Sequence, residues 1–300
     1  MNLALGTAQF GSNYGIANVA GQVMESDVAA ILDEARRRNV TIIDTAIAYG
    51  QSEMVLGKAG VSDFQIVSKI PPLPDQTGAV APLIANQIAG SLDLLRVDQL
   101  HAVLLHNADD LATPLGKEIH AALLDAQNAG LVSKIGVSIY HPRQLARIPA
   151  GFEVDLVQAP ANLLDRRVLE AGLAGERDGR EAEFHFRSIF LQGLLVMDDA
   201  SRPETFSRWE PVWRCLNELV RDLQRSRLEL CVRYMVSQYP DSKYVVGVDG
   251  VRQFRQLLDL VELGPLPQPE FEHIRTSIDR ASELCPDMLH LVDPSQWSRV

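Results

Sequence analysis

A closed α/β barrel of eight parallel strands, (β/α)8, is the fold this sequence predicts, on three observations. Eight short apolar runs recur along the 300 residues, each bounded by turn residues, as buried parallel strands are. Segments of helical periodicity separate them, which argues for repeated strand–helix–strand units. No Gly/Ser linker or charge block divides the chain, and barrels routinely reach this length. Residues 1–300 are therefore expected to form one barrel domain, with its working face at the C-terminal ends of the strands. A doubly wound open sheet is the alternative that periodicity alone leaves open.

The expected strands are Leu3–Gly6, Thr41–Asp44, Phe64–Ser68, Ala102–His106, Lys134–Ser138, Leu156–Ala159, Glu183–Ser188 and Lys243–Gly247. The first expected helix, Ser26–Arg38, carries Val28, Ala29, Leu32 and Ala35 on one stripe. Ala79–Leu95 and Lys117–Ala129 repeat that spacing, Arg214–Tyr239 is long enough for two helices, and Val251–Leu260 follows the last strand. Gly172–Ala182 and Met197–Pro211 are rich in turn formers and read as loops, the second long enough to lie over the barrel mouth. From Pro265 a Pro-rich connector leads into an extra C-terminal helix.

Composition narrows the function classes. With 46 % hydrophobic and 22 % charged residues the chain is an ordinary globular one. Its net charge of −11 repels phosphate backbones and anionic lipid, so neither nucleic acid nor membrane is an expected partner. No apolar stretch approaches the roughly 20 residues of a membrane span. The N-terminus has no basic residue before its short apolar run and does not read as a signal peptide, so a cytoplasmic protein is expected. Cys215, Cys231 and Cys285 are odd in number and far apart, which argues against a disulfide framework, and no metal-ligand spacing is present. No heptad or long apolar edge calls for a second copy, and a barrel of this kind can stand as a monomer.

Barrel enzymes carry their working groups at strand ends. The second strand closes on Asp44, with Tyr49 five residues on; the third closes on Lys69 and the fourth on His106. Four titratable groups from neighbouring strand ends would converge. A Lys ammonium beside a Tyr is expected to lower the phenol's pKa, an Asp holds that Lys charged, and a His can donate to a substrate oxygen. The set suits Tyr49 as a general acid toward a carbonyl oxygen.

These strand ends resemble those of the aldo-keto reductases. LGTAQFG is similar to the family's first-strand motif, DTAIAYGQSE to its Asp/Tyr signature, and VSK and LLH follow in its order. KIGVS, DLVQAPANLLDRR and FRSIFLQGLL resemble its fifth to seventh strand motifs, so the likeness runs over about residues 3–260. The resemblance implies hydride transfer between a nicotinamide cofactor, NADP(H) ahead of NAD(H), and a small aldehyde or ketone, sugar-like substrates included, with no metal. It implies Tyr49 as proton donor, Lys69 and Asp44 tuning it, and His106 orienting the carbonyl. Gly6 and Thr7 would lie against the cofactor, and Ser138 and Gln158 would hold the nicotinamide carboxamide. Ser188, Phe190, Gln192 and Gly193 would run along the pyrophosphate. Gly247, Val248, Asp249, Arg252, Gln253 and Gln256 would surround the adenosine phosphate at a helix N-terminus.

Departures from the family pattern are as informative. No hairpin precedes the first strand. Ile139 follows Ser138 where the family has Asn, and Arg187 stands where it has the aromatic that stacks on the nicotinamide. Asp249 occupies a place where a basic residue is common, which leaves Arg252 and Arg255 to meet a 2′-phosphate. Two other functions fit parts of the pattern: a cofactor-binding accessory or sensor subunit of the same fold, and a Schiff-base isomerase or aldolase using Lys69. The second leaves Tyr49 and His106 without a task.

Overall fold

The computed structural model describes residues 2–73, 80–172, 176–177, 180–285 and 287–299. Its strands are β1 (Leu3–Gly6), β2 (Ile42–Asp44), β3 (Gln65–Ile70), β4 (Leu100–Leu105), β5 (Val132–Ser138), β6 (Leu156–Pro160), β7 (Glu183–Arg187) and β8 (Lys243–Gly247). All pair in parallel in the closed order β1-β8-β7-β6-β5-β4-β3-β2, so the expected barrel forms and the open sheet does not. Closure is made by β1 against β8, with Ala4 opposite Val245 and Gly6 opposite Gly247.

Side chains alternate across each strand. Ala4, Ile42, Val67, Ala102, Leu104, Leu156 and Val245 form one small buried cluster, which fills the barrel interior. Leu3, Leu5, Ile43, Ile66, Val103, Leu105 and Val157 belong to a second, larger cluster under the helices. This two-sided burial is why the strands read as short apolar runs.

Helices α1 (Glu25–Arg37), α2 (Ser52–Ala59), α3 (Val80–Leu95), α4 (Gly116–Asn128), α5 (Arg143–Arg147) and α6 (Arg167–Glu170) follow the first six strands. Acidic Glu25 and Asp27 begin α1, and basic Arg36 and Arg37 end it, both with the favourable sign for the helix dipole. Between β7 and β8 lie α7 (Glu210–Leu223) and α8 (Arg227–Gln238), the expected pair. They part at Gln224, whose φ is +52°, and Ser226 caps α8 by accepting the Glu229 N–H at 3.1 Å. Next come α9 (Val251–Glu262), α10 (Gln268–Glu283) and the short α11 (Met288–Val292).

Two expected loops are more ordered than the sequence suggests. Asp199–Ser201 and Glu204–Trp209 form 3-10 turns, and Pro211 opens α7 instead of ending a loop, because its missing N–H is harmless in a first helical turn. Trp209 and Trp213 are both buried, and the Trp213 Nε1–H donates to the Phe206 carbonyl at 2.7 Å. They are core residues and do not cover the mouth. Glu176–Arg177 pairs antiparallel with Arg180–Glu181 inside the other expected loop, whose residues 173–175 and 178–179 lie outside the described set.

The N-terminal end of the barrel is ionic. Glu183 lies 2.8 Å from His185 Nε2, accepts from Lys134 Nζ, and has His101 Nε2 at 3.8 Å. His101 and His185, with the Lys134 ammonium, hold the Glu183 carboxyl far below the usual carboxylate range against the cost of its burial.

Candidate active site

The barrel's period-2 alternation builds the site directly. Asp44, Lys69, His106, Gln158 and Gly247 each stand two residues after an interior apolar residue: Ile42, Val67, Leu104, Leu156 and Val245. They therefore form the layer just above the apolar interior, at the C-terminal ends of the strands.

Its centre is a buried ion pair. Lys69 Nζ donates to Asp44 Oδ1 at 2.6 Å and to the Thr45 carbonyl at 2.8 Å. Gln158 Nε2 donates to the other carboxylate oxygen, Asp44 Oδ2, at 2.6 Å. Lys69 and Gln158 are fully buried and Asp44 is 2 % exposed. A hydroxyl chain fixes the strand ends around the pair. Thr7 Oγ1 donates to the Asp44 carbonyl at 3.0 Å, and Ser52 Oγ, at the start of α2, donates to Thr7 Oγ1 at 2.8 Å. Thr7 is thus wholly engaged inside the protein.

Tyr49 and His106 stand above the pair. Their rings meet edge to face with centroids 6.0 Å apart, and Lys69 Nζ lies 5.2 Å from the Tyr49 ring centre. Gly11 makes this placement possible: a Cβ there would sit 1.7 Å from the Tyr49 carbonyl oxygen. Burial, then Asp44, pushes the Tyr49 phenol above its ordinary pKa, with Arg187 opposing. The expected lowering by Lys69 is not what prevails. The ammonium is committed to Asp44 at hydrogen-bond distance, and the neutralised pair does little to offset desolvation of a phenolate. Tyr49 is accordingly a protonated acid. Burial, assisted by Lys69 and Arg187, pushes His106 down to about 4, so its imidazole is neutral at pH 7. Burial also lowers Lys69, against the pull of Asp44.

Beside the pair, Ser138 and Gln158 face each other in register on β5 and β6. Ser138 Oγ and Gln158 Oε1 are buried without a hydrogen-bond partner. Two such orphans, a hydroxyl and an amide oxygen, fit a ligand carboxamide. Past β7 the backbone turns through left-handed conformations at Ser188, Leu191, Gln192 and Gly193, an arrangement held in part by Asn162 Nδ2 donating to the Ser188 carbonyl at 3.1 Å. This turn meets the loop after β1, where the Ala17 N–H donates to the Gln192 carbonyl at 3.4 Å. Past β8, Asp249 is half-buried with Oδ1 unpartnered, and its N–H donates to Gln253 Oε1 at 2.7 Å. Arg255 is exposed and donates to Glu34 of α1 at 2.7 Å, and Arg252 is exposed as well.

Tyr14, Tyr140 and Gln9 also reach the mouth, and sequence reasoning passed over them. Tyr140 lies under the Arg187 guanidinium, 4.4 Å from ring centre to Cζ. Tyr14 feels the charges of Tyr49, Arg187 and Lys69. Gln9 packs its amide over Gly247, 2.4 Å from where a Cβ would be. Only Tyr140 carried a usable signal, standing two residues beyond Ser138.

Comparison with known proteins identifies a family for this barrel. The model of the Aldo/keto reductase family matches residues 2–279. The chain belongs to the aldo/keto reductase family. Members of that family are oxidoreductases that act on small carbonyl compounds with nicotinamide cofactors. The aldo-keto reductase YhdN of Bacillus subtilis is 29 % identical over 180 residues, covering 56 % of this chain and 52 % of that protein. The matched region thus spans about half the length of that curated relative. Among solved structures, the glycerol dehydrogenase AKR11B4 from Gluconobacter oxydans superposes with a TM-score of 0.72 at 21 % identity, over 93 % of this chain and 92 % of that one. The aldo-keto reductase AKR11C1 from Bacillus halodurans, in its holo form, gives 0.71 at 20 % identity, over 92 % and 91 %. At these identities the likeness is one of fold.

Proposed function

We propose that this aldo-keto reductase interconverts an aldehyde or ketone with its alcohol, Tyr49 giving the proton and, in reverse, taking it. The observation that carries this is a protonated Tyr49 and a neutral His106 set together over the buried Asp44–Lys69 pair. The His106 ring N–H donates to the carbonyl oxygen and orients it. Tyr49 O–H passes its proton to that oxygen as negative charge develops there. The phenolate left behind is stabilised by the Lys69 ammonium, which Asp44 and the Thr45 carbonyl hold in place beforehand.

A reduced nicotinamide, when bound, supplies the hydride. Its carboxamide fits the orphaned Ser138 Oγ and Gln158 Oε1. The left-handed turn Ser188–Gly193 is the segment suited to its phosphates. At the adenosine end Asp249 offers an unpartnered carboxylate oxygen, while Arg255 is engaged by Glu34. A carboxylate accepts from a ribose hydroxyl and repels a 2′-phosphate. This weighs toward NADH over the NADPH the family resemblance suggests, with exposed Arg252 the remaining cation for a phosphate.

Replacing Tyr49 with Phe is expected to lower turnover by about 10²–10⁴-fold, with cofactor binding, followed by quenching of Trp fluorescence, unchanged. Undiminished turnover would remove Tyr49 from the mechanism. The same titration with NADH and NADPH in turn tests the reading of Asp249.

A further inference from the structure

Arg187 puts a positive charge in the site that the proton transfer above does not use. It ends β7, half-buried, with Pro160 of β6 opposite it in register. Its guanidinium is fixed at two points. Nη2 donates to the Ile139 carbonyl at 3.0 Å, and Nη1 donates to Ser188 Oγ at 3.3 Å. Ile139 follows Ser138, one of the two residues with an orphaned polar atom, and its N–H donates to the carbonyl of the other, Gln158, at 2.8 Å. Ser188 opens the left-handed turn suited to phosphates. The fork therefore bridges the carboxamide site and the phosphate turn. A nicotinamide ring joins those two parts of the cofactor, so it has to lie beside the guanidinium. Tyr140 packs on the guanidinium, its ring centre 4.4 Å from Cζ, and helps to hold it there.

The charge balance is uneven at this point. Lys69 is neutralised by Asp44, His106 is uncharged and Tyr49 is protonated. Arg166, Arg225 and Arg255 each hold a carboxylate, whereas among the described residues none pairs with Arg187. Arg187 is thus the net charge that a bound ring meets. We propose that Arg187 selects the redox form of the cofactor: its fixed positive charge disfavours the oxidised nicotinamide, a cationic pyridinium, relative to the reduced one, a neutral dihydropyridine. The inference rests on the nicotinamide reading above and gives a task to a residue that reading leaves idle. Two like charges in contact lose about 5-fold in affinity at the dielectric of water and several hundred-fold at that of a partly buried site. The reaction's equilibrium in solution is untouched, because the charge acts only on the two bound forms. The oxidised cofactor then leaves readily and the reduced one reloads, which suits a cycle of carbonyl reduction.

The test is calorimetric titration of the whole protein, without substrate, with NADH, NAD+ and ADP-ribose, which carries the pyrophosphate but no nicotinamide. NADPH and NADP+ are compared in the same way. The wild type is expected to bind the reduced form about 10-fold or more tightly than the oxidised one. Arg187→Met should bring that ratio close to one, chiefly by tightening NAD+, and should leave ADP-ribose binding unchanged. Arg187→Lys should keep part of the preference. A ratio near one in the wild type overturns the proposal without any variant, and so does an unchanged ratio in Arg187→Met. Equal weakening of NADH, NAD+ and ADP-ribose in Arg187→Met also overturns it, and assigns the guanidinium to the pyrophosphate instead. The two readings fail separately. An Arg187-dependent preference for the reduced form in a protein that turns over no aldehyde or ketone sinks the catalytic reading and keeps the selection. Tyr49-dependent turnover without that preference does the reverse.

Discussion

Lys69→Met should destabilise this protein far more than its small change of volume suggests. Met replaces the aliphatic stem and removes the ammonium, with its bonds of 2.6 Å to Asp44 Oδ1 and 2.8 Å to the Thr45 carbonyl. Asp44, 2 % exposed, then keeps Gln158 Nε2 as its side-chain donor. Removing one partner of a buried pair typically costs about 3–5 kcal/mol, because the other charge is left without compensation. Asp44→Asn strands the ammonium and should cost a similar amount. The double variant Asp44→Asn/Lys69→Met removes both charges at once and should lose about 1–3 kcal/mol, as a large-to-small or polar change in a core does. The coupling between the two sites is then at least about 3 kcal/mol. Urea unfolding followed by circular dichroism reads it. With a slope of about 3 kcal/mol/M, each single variant should lose about 1 M or more in midpoint, and the double should recover part of that. Single variants within about 0.5 kcal/mol of wild type, or losses that simply add, would refute the view that this pair is a balanced buried charge.

Three further outcomes follow from the geometry. His106, at about 4, should give no inflection near pH 6.5 in kcat/KM, its acid limb lying near pH 4–5; an inflection at pH 6–7 that vanishes in His106→Gln would contradict this. Glu183 is held low by His101 and His185, so it adds stability above the ordinary carboxylate pKa of about 4.3 and loses it as the pH falls below that. Glu183→Gln should therefore cost about 1–3 kcal/mol at pH 7, and the gap to wild type should narrow in acid unfolding curves; a gap independent of pH would argue against it. Gly11→Ala drives a Cβ to 1.7 Å from the Tyr49 carbonyl and 2.5 Å from the Ser52 N–H, both backbone atoms that cannot rotate aside. The Tyr49 loop has to shift, and a displacement of about 1 Å should lower kcat by about 10²-fold, which steady-state kinetics on the variant checks.

What could be read along the chain is what is local. An interior strand residue, then a polar one two places on, needs only the alternation of a β-strand, and it singles out Asp44, Lys69, His106, Ser138 and Gln158 without any knowledge of their partners. β1 and β8 were legible at their observed limits because Gly6 and Gly247 end them abruptly. The long Arg214–Tyr239 pattern divides where Ser226 and Glu229 supply a helix start. Other features depend on which distant residues meet. Arg255 looked free until α9 packed beside α1 and Glu34 took it, 221 positions away. The direction of the Tyr49 shift turned on how deeply the closed barrel buries it, a quantity no spacing encodes. Tyr14, Tyr140 and Arg187 come from the loop after β1, the loop after β5 and the end of β7, and share one mouth only because β1 closes onto β8. Periodicity writes each element into the sequence, whereas charge balance and solvent exclusion arise only when the elements close on one another.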